Sequence, residues 1–436
     1  MKRTMTSLTA LALVASAQAA TAQTEIDFWH AFTGRLAELV DAQVATFNES
    51  QEDYTVVAAS KGNYSETLNA GIAAFRAGEQ PHILMVFEVG TATMMGAEGA
   101  VRPVYQMMAD AGAEFDPDAF IGAVKGYYTT TEGEMLSMPF NSSTPVLWVN
   151  RDLLEANGVD PDTDLSTWEQ VDEVLTTLSE AGVSCPMTTA WQSWIHLENL
   201  SAYHDVPFAS QENGFAGTDT ELELNGELQV AHIAKMGEWA QDGKFVYAGR
   251  RNEGGANFRA GECALFTESS AGYAGIADEA EFAFDVRPLP YWAGQVDAPQ
   301  NTIIGGASLW VMEGHEAEDY AGVAEFLNFL SSPEVQAQWH QDTGYLPITS
   351  AAADLTRESG FYEENPGTDV AVVQMTTNEP TANSKGIRLG NFDQIRTIID
   401  EELEAVWAGD KSAQEALDTA KERGDELLRR FEQSSR

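Results

Sequence analysis

Hydroxyl groups, aromatic rings and sterically bare N–H groups occur together in five short segments: Gly62-Asn63-Tyr64, Asn141-Ser142-Ser143-Thr144, Trp191-Gln192-Ser193-Trp194, Ser269-Ser270-Ala271-Gly272 and Gly305-Gly306-Ala307-Ser308. Serine and tyrosine hydroxyls, with N–H groups left open by glycine, can hold an oxyanion without reacting with it. Each pattern alone is also an ordinary turn or core feature. Groups for covalent chemistry are not arrayed in any such way. There is no G-x-x-x-x-G-K-[ST], no G-x-G-x-x-G after a strand and no G-x-S-x-G elbow. The seven histidines are scattered, the closest pair being His196 and His204, so zinc-ligand spacings are absent and no metal is expected. Any two of the 68 acidic residues can meet across a cleft, so a hydrolytic carboxylate pair carries no signal without geometry.

The elements that must carry these segments alternate between strand and helix in the first third. Glu25 to His30 reads as a strand, and Arg35 to Phe47 places Leu36, Leu39, Val40, Val44 and Phe47 at helical spacing. Tyr54 to Ala59 is again strand-like. Ser65 to Ala77 reads as a helix closed by Gly78, and Ile83 to Phe87 as the next strand. Right-handed crossovers turn this βαβαβ series into a parallel sheet covered on both faces. Ligands of such sheets bind beyond the carboxyl ends of the strands, here His30 onward, Lys61 to Tyr64 and Glu88 to Gly90. Near the C-terminus Ile395, Ile398, Ile399, Leu403, Val406 and Trp407 form a half-buried helical stripe that Gly409 can close. Ser412 and Glu415 mark the start of a second helix as a capping box. Neither an internal repeat nor a flexible linker is present. Two lobes must therefore be joined by short extended crossings, for which Met138 to Pro145 and Arg287 to Tyr291 are the candidates.

Residues 1–22 read as an export leader: Lys2 and Arg3 at the tip, an apolar run from Leu8 to Ala17, and small-residue cleavage sites at Ala17-Gln18-Ala19 or Ala20-Thr21-Ala22. The run is too short for a bilayer, which needs about 20 residues. About 410 residues follow it, more than one core usually serves, so two domains are expected. No cysteine adjoins the cleavage sites to carry a lipid, which points to a soluble protein of the periplasm. Cys185 and Cys263 lie in an exported chain where oxidation is permitted, but spacing alone does not decide whether they pair. With 24 basic residues against 68 acidic ones the net charge is −44, and loss of Lys2 and Arg3 takes it to −46. Such a chain repels nucleic acid and anionic membrane surfaces. An anionic ligand would have to be held by local donors against that field.

Longer strings carry a resemblance. Lys61-Gly62-Asn63-Tyr64, Phe87-Glu88-Val89-Gly90-Thr91-Ala92-Thr93-Met94-Met95 and Pro139-Phe140-Asn141-Ser142-Ser143-Thr144-Pro145-Val146 are similar to strings of the periplasmic glycerol-3-phosphate-binding receptors of ABC importers. So are Ala298 through Trp310, Trp339 through Thr349 and Arg388 through Trp407. The resemblance spans essentially the whole mature chain. It implies a type II periplasmic binding protein of the maltodextrin-receptor kind, with two doubly wound α/β lobes joined by a hinge. The first lobe would comprise 23–139 and 288–345, the second 140–287 and 346–436.

The resemblance also implies a ligand set: Tyr64, Glu88, Ser143, Trp168, Ser269, Gly306, Tyr345 and Arg396, with Ser270 an alternative to Ser269. On that reading Arg396, in the first turn of its helix, takes a phosphate together with the Gly306 N–H, Ser269 and Tyr345. Glu88, an acceptor when ionised, takes glycerol hydroxyls. Tyr64 and Trp168 cover the glycerol backbone or a head group. The implied ligand is glycerol 3-phosphate or a glycerophosphodiester, and the implied partners are ABC permease subunits in the inner membrane with a cytoplasmic ATPase, served by a monomeric receptor without cofactor. Two other readings remain. An oligosaccharide receptor of the same fold would leave a phosphate-directed Arg396 without purpose, and a hydrolase using Glu88 would need a second carboxylate about 5 to 9.5 Å away.

Overall fold

Apolar runs become strands where both faces are covered. The computed structural model describes residues 23–130 and 132–434, so the leader expected at 1–22 lies outside the described residues. Ile26, Phe28 and His30 alternate inward along β1 (Thr24–His30), whereas every residue of β3 (Ile83–Phe87) is buried, as befits a central strand. β2 (Tyr54–Ser60) pairs in parallel with β1, and β1 with β3, giving the expected βαβαβ half. The intervening helices are Gly34–Ser50, with Val40, Val44 and Phe47 inward, and Tyr64–Ala77. Asn63 and Glu66 cap the second reciprocally, and Gly78, at φ 72°, ends it in the left-handed conformation.

The rest of this sheet is antiparallel. β4 (Val101–Arg102) and β5 (Met138–Ser143) both pair with β10 (Gly305–Met312), which itself runs against β3. The strand order is β2-β1-β3-β10-β4, with β5 beside the first half of β10. A second sheet has the order β7-β8-β6-β9, built from β6 (Pro145–Asn150), β7 (Cys185–Thr189), β8 (Cys263–Ser269) and β9 (Phe284–Arg287). Only β7 and β8 are parallel there. The lobes are thus mixed rather than wholly parallel sheets, because the chain returns from one lobe to the other and must run back along the first sheet.

β5 belongs to the first sheet and β6 to the second, with Thr144 alone between them. The crossing therefore falls inside the anticipated 138–145 segment, but four residues beyond the expected 139/140 boundary, which lies within β5. The return crossing lies between β9 and β10. There Thr144 Oγ1 meets Thr302 Oγ1 at 2.6 Å, so the two crossings are tied side by side. The C-terminal helices Phe392–Trp407 and Ala413–Ser434 pack on one another and on Glu227–Gln241 of the second lobe. Gly409, at φ 76°, follows the first of them, and Ser412 caps the next with Glu415.

Cys185 and Cys263 form a disulfide, the first residues of neighbouring parallel strands placed opposite one another with Cα atoms 4.6 Å apart. It closes a loop with a sequence separation of 78. Replacing both cysteines with alanine should cost about 2–4 kcal/mol of stability, read as a lower urea midpoint. Dithiothreitol should lower the midpoint of the parent to the same value and leave the double variant unmoved.

Candidate functional site

Strands β1, β2, β3 and β5 of the first sheet and β7 and β8 of the second end at a common cavity. Its volume is about 560 Å³. Ala31, Phe32 and Thr33 follow β1, Gly62 to Tyr64 follow β2, and Glu88 follows β3, so all three strand-end segments expected from the βαβαβ pattern contribute to the lining. The second lobe adds Ser269 at the end of β8 and Trp191 and Trp194 beyond β7. Seven of the eight anticipated positions line this cavity: Tyr64, Glu88, Ser143, Ser269, Gly306, Tyr345 and Arg396.

Trp168 is the exception. It is the first residue of the helix Trp168–Glu180, whose inward stripe continues through Val171, Val174, Leu175 and Leu178. Thr167 caps that helix, accepting from Gln170 N–H, and so fixes the phase that turns Trp168 into the second lobe's core. Its ring lies 5.1 Å from His232 and 6.1 Å from Trp239, with only 1% of the residue exposed. The aromatic walls of the cavity are instead Tyr64, stacked on Phe87 at 5.2 Å and 2°, and Trp191 and Trp194. The Trp191–Trp194 segment stood out in the sequence by composition. Its place after a strand, the same signal that marked the other loops, would have put it in the site.

Two glycines admit the ring of Trp194 and the neighbouring strand. A Cβ on Gly305 would lie 2.6 Å from Trp194 Cζ2. One on Gly306 would lie 1.9 Å from the Asn141 carbonyl oxygen, and φ there is +105°. Opposite them Asn141 Nδ2 donates to Tyr64 Oη at 3.0 Å, which fixes the phenol.

Arg396 does not stand free to meet an anion. It is the fifth residue of the helix Phe392–Trp407 rather than a first-turn residue, with its guanidinium 5.4 Å from the ring of Phe392. Its Nε and Nη2 donate to the two oxygens of Glu198, each at 2.7 Å, and Nη2 lies 2.6 Å from Glu88 Oε1. All three side chains are nearly inaccessible to water. Burial would lower the Arg396 pKa, but Glu198 and Glu88 outweigh it and hold the group charged. Burial raises the Glu88 carboxyl above its ordinary value, Arg396 opposes the rise and Glu198 adds to it. Glu88 and Arg396, expected to take the hydroxyls and the phosphate of a ligand respectively, are directly paired with one another. Glu198, on the π-helical segment Trp194–Asn199, was not legible as a partner because no spacing rule links it to either.

Among the described residues one group of three metal-capable side chains occurs, His82, His315 and Asp319, just before β3 and so at the opposite strand end from the cavity. His82 Nδ1 accepts the Asp27 N–H at 2.9 Å, leaving the proton on the nitrogen that faces Asp319. In that arrangement neither ring nitrogen of His82 offers a free lone pair to a cation.

Residues 42–370 match the family of bacterial extracellular solute-binding proteins. The chain belongs to it. The sn-glycerol-3-phosphate-binding periplasmic protein UgpB of Escherichia coli (strain K12) is 52% identical to this solute-binding protein over 427 residues, covering 98% of this chain and 97% of that one. Among solved structures, UgpB from Mycobacterium tuberculosis in complex with glycerophosphocholine superposes with a TM-score of 0.78 at 20% identity, over 94% of this chain and 99% of that one. The maltose-bound MalE3 of T. maritima gives 0.74 at 16% identity, over 94% and 100%. The likeness to these structures fixes the two-lobed fold of the solute-binding protein. As a member of this family it is a binding protein and not an enzyme. No helix among the described residues is long and apolar enough to cross a membrane.

Glu268, next to Ser269, lines the cavity as a buried carboxyl whose Oε1 accepts the Ser269 N–H at 2.7 Å. Burial pushes its pKa up to about 8 against the opposing pull of that N–H and of Arg259. Between the ordinary carboxylate range and pH 8 the folded protein keeps a proton that the unfolded chain releases, so stability falls as pH rises through this window and levels off above it. The parent should therefore lose stability relative to Glu268→Gln between pH 5 and pH 9. Parallel denaturation curves at both pH values would refute the buried-acid assignment.

Proposed function

We propose that this protein is the periplasmic receptor of an ABC importer that captures sn-glycerol 3-phosphate or its phosphodiesters and delivers them to membrane permease subunits driven by a cytoplasmic ATPase. One observation carries the reading: seven positions that the sequence resemblance connected with the ligand, drawn from both sheets and separated by up to 332 residues, converge on a single interlobe cavity. The extensive identity to proteins named for binding sn-glycerol 3-phosphate supports the ligand class, and the neighbour bound to glycerophosphocholine supports extending it to diesters.

In this reading the Gly306 N–H, the hydroxyls of Ser143, Ser269 and Tyr345, and the cavity-lining edge of the largely buried Arg396 surround the phosphate, all as donors. The carboxylates that hold Arg396 also accept the glycerol hydroxyls, so polyol and phosphate are distinguished by which end of one network they meet. Tyr64, Trp191 and Trp194 cover the carbon backbone. The first lobe would comprise 23 to Ser143 with the β10 region, the second β6 to β9 with the C-terminal helices, turning about Thr144 and Thr302. The protein would work as a monomer, since each lobe supplies half of the site. A saccharide receptor of the same fold is the second reading, favoured by the tryptophan pair and by the likeness to a maltose-bound structure.

Calorimetry should give saturable binding of glycerol 3-phosphate and glycerophosphocholine and none of maltose. Tight maltose binding with no phosphate-ester binding would replace this proposal by the saccharide reading. Arg396→Lys keeps a charge between Glu88 and Glu198 but forfeits the guanidinium fork, and should weaken phosphate-ester binding at least tenfold. Because Arg396→Ala would leave two buried carboxylates without their cation, it should also destabilise the fold by about 3–5 kcal/mol. Solution scattering should show a smaller radius of gyration on saturation with glycerol 3-phosphate, as expected if contacts divided between lobes are completed only on closure.

A further inference from the structure

Four arginines line the cavity, and three of them are already neutralised. Arg35 pairs with Glu38 at 3.2 Å, Arg259 with Glu279 at 2.8 Å, and Arg396 with two carboxylates at once. The Glu88–Arg396–Glu198 group carries one net negative charge when all three are ionised. In a chain with 68 acidic and 24 basic residues, that group cannot by itself supply the net attraction a phosphate requires.

Arg251 is different. Among the described residues it forms no ion pair with a carboxylate. It lies in the second lobe, just ahead of the helix Glu253–Arg259, and its carbonyl accepts the Trp191 N–H at 3.0 Å. Its guanidinium stands 5.9 Å from the Trp191 ring, whose Nε1 is held in turn by Asn252 at 2.5 Å. Nη2 donates across the cleft to Ser65 Oγ at 2.9 Å, and Ser65, in the first turn of a first-lobe helix, donates to Asp393 at 2.6 Å. The other terminal nitrogen, Nη1, is shielded from water and has no hydrogen-bond partner. A cationic donor deprived of both water and acceptor is uncommon in a folded protein and seeks an acceptor.

We propose that Arg251 is a ligand-binding residue of this cleft: it supplies the uncompensated positive charge for the ligand's phosphoryl oxygens, with Nη1 as donor, and through Ser65 it couples that contact to closure of the lobes. The inference rests on the phosphate-ester reading above and adds to it a second cation with a separate duty. Arg396 is the neutralised centre that orders the site. Arg251 is the group that senses ligand charge. A dianionic phosphomonoester therefore depends on it more than a monoanionic diester does.

The test is calorimetry on the full mature chain with glycerol 3-phosphate and glycerophosphocholine, for the parent, Arg251→Gln, Arg251→Lys and Ser65→Ala, each checked by thermal melting. Arg251→Gln, which retains a planar amide but no charge, should weaken glycerol 3-phosphate at least tenfold and glycerophosphocholine by a clearly smaller factor. Arg251→Lys should recover part of the monoester affinity. Ser65→Ala, which removes the cross-lobe bond and leaves the charge, should weaken both ligands by a similar factor. The inference is overturned if Arg251→Gln binds glycerol 3-phosphate within threefold of the parent, if it weakens both ligands equally, or if Arg251→Lys is no better than Arg251→Gln. A parent that binds neither phosphate ester would overturn the functional reading itself, a result distinct from all of these.

Discussion

A guanidinium buried between two carboxylates from opposite lobes is the interaction on which the cleft depends. Removing three charges from water is costly, and only close, hydrogen-bonded pairing offsets it. Each member must therefore arrive at one point to within a fraction of an ångström. Glu88 is delivered by the end of the buried strand β3, Glu198 by a π-helical turn beyond β7, and Arg396 by a helix that packs on the second lobe while reaching the Glu88 segment. A relative shift of the lobes would pull Glu88 from Arg396 but leave the bidentate Glu198 pair intact, since those two partners share a lobe. In the proposed clamshell motion this asymmetry would give closure a preferred register. It also allows opening without stranding the arginine.

The chain's path limits how the lobes move. With Thr144 the only residue between β5 and β6, the two sheets share what is nearly a continuous strand, and its hydroxyl is bonded to Thr302 on the returning crossing. In the proposed clamshell motion the one-residue crossing, bonded laterally to the longer returning segment, would resist sliding and favour rotation. Ser143, at the end of β5, and Gly305 and Gly306, at the start of β10, line the cavity close to these crossings, together with the aromatic rings of Tyr64 and Trp191.

Local rules made the first lobe legible. Strand and helix limits in residues 24–87 follow alternation, the Asn63–Glu66 capping box and Gly78, all of which act over a few residues. The strand-end rule located three lining segments for the same reason. Features set by long-range pairing were beyond such rules. Nothing within β10 declares that it runs antiparallel to β3, because that depends on where the chain re-enters the lobe. Trp168 shows a finer failure: its residue type suits a ligand wall, but the capped helix it begins turns it to the core. Arg396 lay at the expected place with an unexpected duty, since its partners are 198 and 308 positions away in sequence.

The acidic surface and the cleft act on different length scales. Surface charge on this chain works through solvent and fades over a Debye length of about 8–10 Å at ordinary ionic strength. It governs how often an anion reaches the cleft mouth. Inside, donors within hydrogen-bond distance act through a medium that screens them far less, so retention is decided by which of them lack a partner. A site ringed only by satisfied ion pairs would inherit the repulsion of the whole molecule without a local remedy. On the proposed reading the cavity avoids this through neutral donors on Ser143, Ser269, Gly306 and Tyr345, which would attract an oxyanion without adding charge that nearby acids would quench, together with one arginine that, among the described residues, forms no ion pair with a carboxylate. In so acidic a protein, a cation on an exposed surface would be neutralised by its neighbours. Arg251 instead sits beside the Trp191 ring and donates to a neutral hydroxyl, that of Ser65, which on the proposed reading leaves its charge for a ligand.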